Sequence, residues 1–267
     1  MPTVAPGEHV REFYDEQIVH KVADFVDGNR RVDAAWRTIQ QWAPPSPRCV
    51  VEIGCGLGAM AYRMAERWPA ARVVGLDISP RSIEFANRLF HLPNLSYANG
   101  SIEDQALEDR CDLVVLVDVY EHIAQDQRAA FARSVAALLS HDCRLVLTFP
   151  TPAYQQLLRE GSPEKLQPVD EDIDFDSLRQ LADATATSLV LFQEHDVWLT
   201  GDYAHAVLAR RPATGAVERT DPRPDPTPIE RVVRKARTLI HGTDPQSRDA
   251  RLDHVLRVLG PDAYRPR

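Results

Sequence analysis

Apolar residues follow two rhythms along this chain. Over residues 9–42, Phe13, Ile18, Val22, Phe25 and Val26 recur at mixed three- and four-residue steps, which predicts amphipathic helix. Gly28-Asn29 predicts a break there into two helices. "APPSP" (43–47) is a rigid connector without helix potential. From Cys49 the rhythm changes to short apolar runs: "CVVEI" (49–53), "RVVGLDI" (72–78), "LSYANG" (95–100), "CDLVVLVDV" (111–119) and "CRLVLTFP" (143–150). These read as strands, the fourth continuous enough for the centre of a parallel sheet. Between them, "LGAMAYRMAERW" (57–68), the segment from Ser79 to about Phe90, and "QDQRAAFARSVAALLS" (125–140) read as helices. Ser79-Pro80 supplies an N-cap followed by proline in the first turn.

Strand and helix alternating at this spacing predict right-handed crossovers. The expected fold is α/β, doubly wound, with ligands at the carboxyl ends of the strands. After Pro150 the pattern becomes polar and proline-punctuated ("TPAYQQLLREGSPEKLQPVDEDIDFD", 151–176), then helical ("DSLRQLADAT", 176–185). "SLVLFQEHDV" (188–197) and "GDYAHAVLARR" (201–211) read as two strands close enough to pair antiparallel. A Pro-rich linker is expected at 212–228, and a C-terminal helical segment at 229–267. Its two short amphipathic helices either pack back on the domain or make a subunit contact, a homodimer being one outcome.

Charge narrows the choice of partners. The net charge is -8, yet residues 210–267 hold 13 Lys and Arg against 8 Asp and Glu. The main body is therefore acidic, which argues against tight binding to a nucleic-acid backbone. Cys49, Cys55, Cys111 and Cys143 form no C-x-x-C, so zinc and redox spacings are absent and a reducing compartment fits. The first residues have no apolar signal region, and no run approaches a membrane span. A cytoplasmic protein without membrane contact is expected.

The candidate chemistry centres on "VVEIGCGLGAMA" (50–61). Gly54, Gly56 and Ala59 fit the dinucleotide pattern G-x-G-x-x-A. Glu52 extends this to E-x-G-x-G-x-G through Gly58. A carboxylate beside a pyrophosphate is repulsive, whereas beside an ammonium it is attractive. Asp77 ends the second strand, where an acid binds ribose hydroxyls. "NGSIED" (99–104) follows the third strand, with Ile102 as an apolar face for a base and Ser101 or backbone amides for its edge. Asp118 ends the fourth strand and leads into "VYEHI", where His122 is the first candidate to take a proton. His195 and His205 are weaker candidates. The carboxylates of "VDEDIDFD" (169–176) read as a solvated loop capping the next helix, and no metal is expected.

In order along the chain, "VVEIGCGLG", "VVGLDIS", "GSIED", "DLVVLVDVYEHI" and "LLSHDCRLVLTFP" resemble the motifs of class I S-adenosylmethionine-dependent methyltransferases of small-molecule type. The resemblance is close over 48–150 and extends to 211. It implies a Rossmann-like, mostly parallel seven-stranded sheet with an antiparallel last strand. Residues 1–47 would be a helical cap, 48–211 the cofactor-binding domain, and 151–172 an insertion covering the acceptor. S-adenosyl-L-methionine would be the cofactor and S-adenosyl-L-homocysteine its product. By the same resemblance Gly54, Cys55, Gly56 and Gly58 wrap the methionine part beside Glu52. Asp77 holds the ribose and Ile78 lies on the adenine. Ser101 and Ile102 meet its edge. Asp118 and Val119 lie near the methionine amine and sulfur. Tyr14 resembles a tyrosine that closes over the cofactor, and Tyr154, Trp198 and Tyr203 are candidates to line an acceptor pocket. Many members carry Asp at the position of Ser101, which shifts the adenine contact toward Glu103.

The expected reaction is methyl transfer to a small-molecule acceptor at O, N or C, in secondary-metabolite or sugar-intermediate biosynthesis. Three alternatives remain open. One is the same fold acting on a macromolecule or using the cofactor otherwise. The others are a nicotinamide-dependent oxidoreductase and a non-catalytic cofactor-binding subunit.

Overall fold

The computed structural model describes residues 6–105, 109–210 and 247–266. Three helices come first: α1 (Pro6–Glu16), α2 (Ile18–Asp27) and α3 (Arg30–Trp42). The region expected to break once therefore breaks twice. At the second break Gly28 adopts φ +86°, and the Asn29 side chain caps α3 by accepting from the Arg31 N–H. There follow β1 (Cys49–Ile53), α4 (Ala59–Arg67), β2 (Arg72–Asp77), α5 (Pro80–Leu89), β3 (Leu95–Asn99), β4 (Cys111–Val117), α6 (Arg128–Leu138) and β5 (Leu139–Pro150). The remainder is α7 (Pro152–Gly161), α8 (Phe175–Ala184), β6 (Ser188–His195), β7 (Tyr203–Ala209) and α9 (Arg248–Leu259).

The strands form one sheet in the order β3-β2-β1-β4-β5-β7-β6. β7 runs antiparallel to β5 and β6, and the remaining pairings are parallel. The central strands are buried on both faces because successive side chains point to opposite sides. Val51, Ile53, Val114 and Leu116 meet Phe131, Val135 and Leu138 of α6 and Leu178 and Leu181 of α8. Val50, Leu113 and Val115 meet Ala35 and Ile39 of α3 and Met60 and Met64 of α4. The four cysteines are free and buried. No helix among the described residues is long and apolar enough to cross a membrane.

Two boundaries differ from expectation for local reasons. The helix expected to reach residue 140 stops at Leu138, because Leu139 joins the sheet opposite Cys111 and the Ser140 hydroxyl donates to Asp112. The segment after Pro150 contains α7: Thr151 caps it by accepting from the Tyr154 N–H, with Pro152 in its first turn. At the far end, α9 packs back on the domain. Val255 sits among Ile18, Val22 and Val26 of α2 and Leu89 of α5. Arg248 pairs with Asp27 at 2.9 Å, and the Arg251 Nε donates to the Val26 carbonyl. The linker expected at 212–228 and residues 229–246 of the expected helical segment lie outside the described residues.

Candidate functional site

The carboxyl ends of β1, β2 and β4 open on a cavity of about 910 Å³ that α1, α2 and α3 also line. The loop from β1 into α4 forms its floor. Gly54, Gly56 and Gly58 all have positive φ (71°, 51° and 85°), a backbone that L side chains adopt only at a cost. A Cβ on Gly54 would enter Val119, so the loop lies directly on the end of β4. Gly58 differs from its expected role. It turns the chain into α4 beneath the Tyr97 ring, which a Cβ would meet at 2.5 Å, and it is not among the residues that line the cavity.

Carboxylates hold this loop and face the cavity. Asp77 accepts from the Gly56 N–H at 2.7 Å through Oδ2 and from the Ser79 N–H at 2.9 Å through Oδ1. The Ser79 hydroxyl donates to Asp15, tying α1 to the start of α5. Glu52 is 3% exposed, lines the cavity, and leaves Oε2 without a hydrogen-bond partner. Burial pushes its carboxyl up to about 8; Asp77 adds to the shift and Lys21 opposes it. Cys55 also lines the cavity, its N–H donating to the Leu76 carbonyl and its thiol pushed up by burial.

Ile78, Ile102 and Val119 line a further stretch of wall together with Ile123 and Phe131. Ser101 lines it too, but its hydroxyl is engaged within its own loop, donating to Asp104 at 2.8 Å. Glu103 reaches the same wall.

Beyond β4 the site becomes densely charged. Asp118 turns the strand end at φ +54°, a left-handed conformation that Asp tolerates better than most residues. Its Oδ1 accepts from the Thr148 hydroxyl, and its Oδ2 is in ion-pair contact with Arg31 Nη1 at 2.6 Å. Apart from that ion pair, neither Asp118 Oδ2 nor Arg31 Nε has a hydrogen-bond partner. His122 donates through Nδ1 to the Val169 carbonyl at 2.8 Å and lies 3.1 Å from Asp170 and 3.8 Å from Glu121. Burial pulls the imidazole down, but Glu121, Asp170 and the Val169 carbonyl outweigh it and raise it to about 9. His122 therefore carries a proton at neutral pH, and these surroundings suit a cation better than the proton acceptor expected from sequence. Burial raises Glu121 to about 8. Tyr14 of α1 lies edge-on to His122, ring centroids 6.3 Å apart, and its hydroxyl is pushed up by burial and by Glu121, Asp77 and Asp170.

Other candidates lie elsewhere. Tyr203 meets Tyr154 and Trp198 (6.1 and 5.5 Å between centroids), and none of the three lines the cavity. His195 and His205 stack at 3.9 Å, with Thr38 on His205 at 2.7 Å, also away from it. The acidic run is dispersed: Asp172 pairs with Arg159, Asp174 caps α8, and Asp176 pairs with Arg179. Among the described residues no group of three or more His, Cys, Asp or Glu is placed to hold a metal ion.

Sequence reasoning missed two cations of the cavity, Lys21 and Arg31. Lys21 lies across the glycine loop, where a Cβ on Gly56 would meet its Nζ at 3.2 Å, and it stands 5.2 Å from the centre of the Tyr14 ring. Arg31 follows the cap of α3. The signals available were sparse: Lys21 is one of only three lysines, and Arg31 follows the Gly28-Asn29 break.

Comparison with known proteins agrees with this geometry. A family described as a methyltransferase domain matches residues 50–142. The malonyl-[acyl-carrier protein] O-methyltransferase of Acetivibrio thermocellus is 36% identical over 66 residues, 25% of this chain and 23% of that protein. The chain thus spans less than a quarter of that relative's length in the match. The trans-aconitate 2-methyltransferase of Methylobacterium nodulans is 26% identical over 195 residues, covering 69% of this chain and 72% of the relative. In fold, the chain is similar to the 1,6-didemethyltoxoflavin-N1-methyltransferase of Burkholderia thailandensis, solved with S-adenosylhomocysteine. The TM-score is 0.60 at 17% identity, over 79% of this chain and 93% of that one. Residues 50–142 thus carry a methyltransferase domain, and the strand order with the glycine loop of β1 is that of the class I S-adenosylmethionine-dependent methyltransferase fold.

Proposed function

We propose that this chain transfers the methyl group of S-adenosylmethionine to a small-molecule acceptor. The observation that carries the reading is Glu52, a buried carboxyl at the end of β1 with one oxygen unpartnered in the cavity. An ammonium group satisfies such an oxygen, whereas a pyrophosphate repels it. The donor set fits the rest of the cofactor. Gly54, Cys55 and Gly56 would border its methionine part, with Lys21 available to its carboxylate. Asp77 would take the ribose hydroxyls. Ile78 and Ile102 would take the adenine, with Ser101 at its edge, and Asp118 and Val119 would lie near the methionine amine and sulfur. Bound there, the cofactor supplies a methyl group already activated on a sulfonium, so catalysis is largely alignment and exclusion of water.

Tyr14 and the 151–172 segment are the cover in this reading. Val169 and Asp170 bring that segment onto His122, which positions it as a cation beside the reacting centre. Two of the similar proteins are named for small acceptors, trans-aconitate and didemethyltoxoflavin, which supports a small one; a third is named for a malonyl group on acyl-carrier protein. The acidic body disfavours nucleic acid, and free, buried cysteines suit the cytoplasm. A thermal-shift titration tests the reading. S-adenosylhomocysteine should raise the unfolding midpoint and NADH should not. Stabilisation by NADH alone, or by neither, defeats it.

A further inference from the structure

We propose that Arg31 is the acceptor-binding residue and that the acceptor carries a carboxylate, gripped by the free edge of this guanidinium. The proposal rests on the methyltransferase reading above. A guanidinium has five N–H donors in a rigid fork. Here Nη1 alone is engaged, with Asp118 at 2.6 Å and with the Tyr203 hydroxyl at 3.5 Å. Nε is buried without a hydrogen-bond partner, and among the described residues no hydrogen bond runs from Nη2. Yet 27% of the Arg31 side chain stays accessible, and it lines the cavity. A cation held inside a protein with most of its donors unused is complementary to a planar anion that takes two at once. A neutral alcohol or amine would leave that edge unsatisfied.

The charges around Arg31 favour a single negative charge over two. The Asp118 carboxylate is in direct contact with it at 2.6 Å. A phosphate dianion would meet that carboxylate with one guanidinium edge to hold it. A carboxylate matches that edge one to one. Asp118 also links acceptor to cofactor. A cationic group arriving beside Asp118 competes with Arg31 for the same carboxylate, so a filled cofactor site loosens the guanidinium toward the acceptor. Arg31 is then a specificity residue whose grip is released by its neighbour's ligand.

Calorimetry on the full chain saturated with S-adenosylhomocysteine tests this, using benzoate, glutarate and citrate against benzamide, glutaramide and inorganic phosphate. At least one carboxylate should bind, about tenfold or more tighter than its amide and than phosphate. Arg31→Gln should weaken that binding by about tenfold or more, and Arg31→Lys should restore part of it. S-adenosylhomocysteine should bind Arg31→Gln as well as wild type or better, because Asp118 loses a competitor. The proposal is overturned if no carboxylate binds, if phosphate binds best, or if Arg31→Gln binds the carboxylate as wild type does. It is equally overturned if Arg31→Gln loses about tenfold in S-adenosylhomocysteine affinity, since Arg31 would then serve the cofactor. Should Arg31→Gln fail to fold, Arg31→Lys carries the comparison. Wild-type protein that binds no S-adenosylhomocysteine at all overturns the underlying reading instead, and separates the two failures.

Discussion

The Gly56 N–H and the Asp77 carboxylate meet at 2.7 Å, joining the loop after β1 to the end of β2. One side chain thus shapes the glycine loop and faces the cavity that the loop borders. Asp77→Ala removes the acceptor for the Gly56 and Ser79 amides together with the expected ribose contact. Affinity for S-adenosylhomocysteine should fall by more than about tenfold, with faster amide exchange confined to residues 54–58 and 79. Unchanged affinity by calorimetry refutes this placement of the ribose.

Glu52 makes cofactor binding a proton-linked event. Burial pushes its carboxyl up to about 8, so at pH 7 it is mostly protonated. An ammonium ligand favours the ionised form. Binding at pH 7 should therefore release up to about one proton, and affinity should rise as pH increases toward 8. Calorimetry in buffers of different ionisation enthalpy measures the release directly. Glu52→Gln should abolish it; equal release from wild type and variant removes Glu52 as its source.

For His122 the raised value of about 9 sets the sign in the other direction. The cation is present at neutral pH and is lost as pH rises through about 9, so turnover should decline there. His122→Ala should slow turnover by about tenfold or more while S-adenosylhomocysteine affinity stays within about twofold. Wild-type turnover in that variant ends any role for the residue in the reaction.

His205 concerns stability instead of chemistry. Burial, then His195 and Arg37, depress its imidazole to about 3, so it stays neutral in the fold while an unfolded histidine protonates below about 6.5. The unfolded state then binds more protons between those values, and stability should fall with pH at up to about 1.4 kcal/mol per unit from this residue. Urea midpoints of wild type and His205→Asn, compared from pH 7 to 4, should diverge from each other. Parallel profiles would show that His205 titrates the same way in both states.

The sheet was legible in the sequence because its central strands are continuous apolar runs and its helices are punctuated by caps. The same signature that marks α5 at Ser79-Pro80 also marks α7 at Thr151-Pro152, but there the surrounding polar, proline-rich sequence concealed it. Glu52, Asp77 and Asp118 could be placed because strand ends have a fixed relation to the cavity in this topology. Lys21 and Arg31 had no such anchor. They sit on helices that reach the cavity only through packing, and helical periodicity does not say which polar side chain will be turned inward. His122 could be located but not its charge, which depends on its burial, on the Glu121 carboxyl packed beside it, and on Asp170 and the Val169 carbonyl, the latter 47 residues away along the chain.

α9 lends the site a property that none of its ligand-facing groups possesses. It seats Val255 and Arg251 against α2, the helix that carries Lys21 across the glycine loop. The resting height of that part of the roof is thus braced from outside the sheet, as a wedge sets the closing point of a door. Substitutions in this seat offer a way to shift Lys21 relative to the glycine loop while the loop, the carboxylates and Arg31 stay as they are.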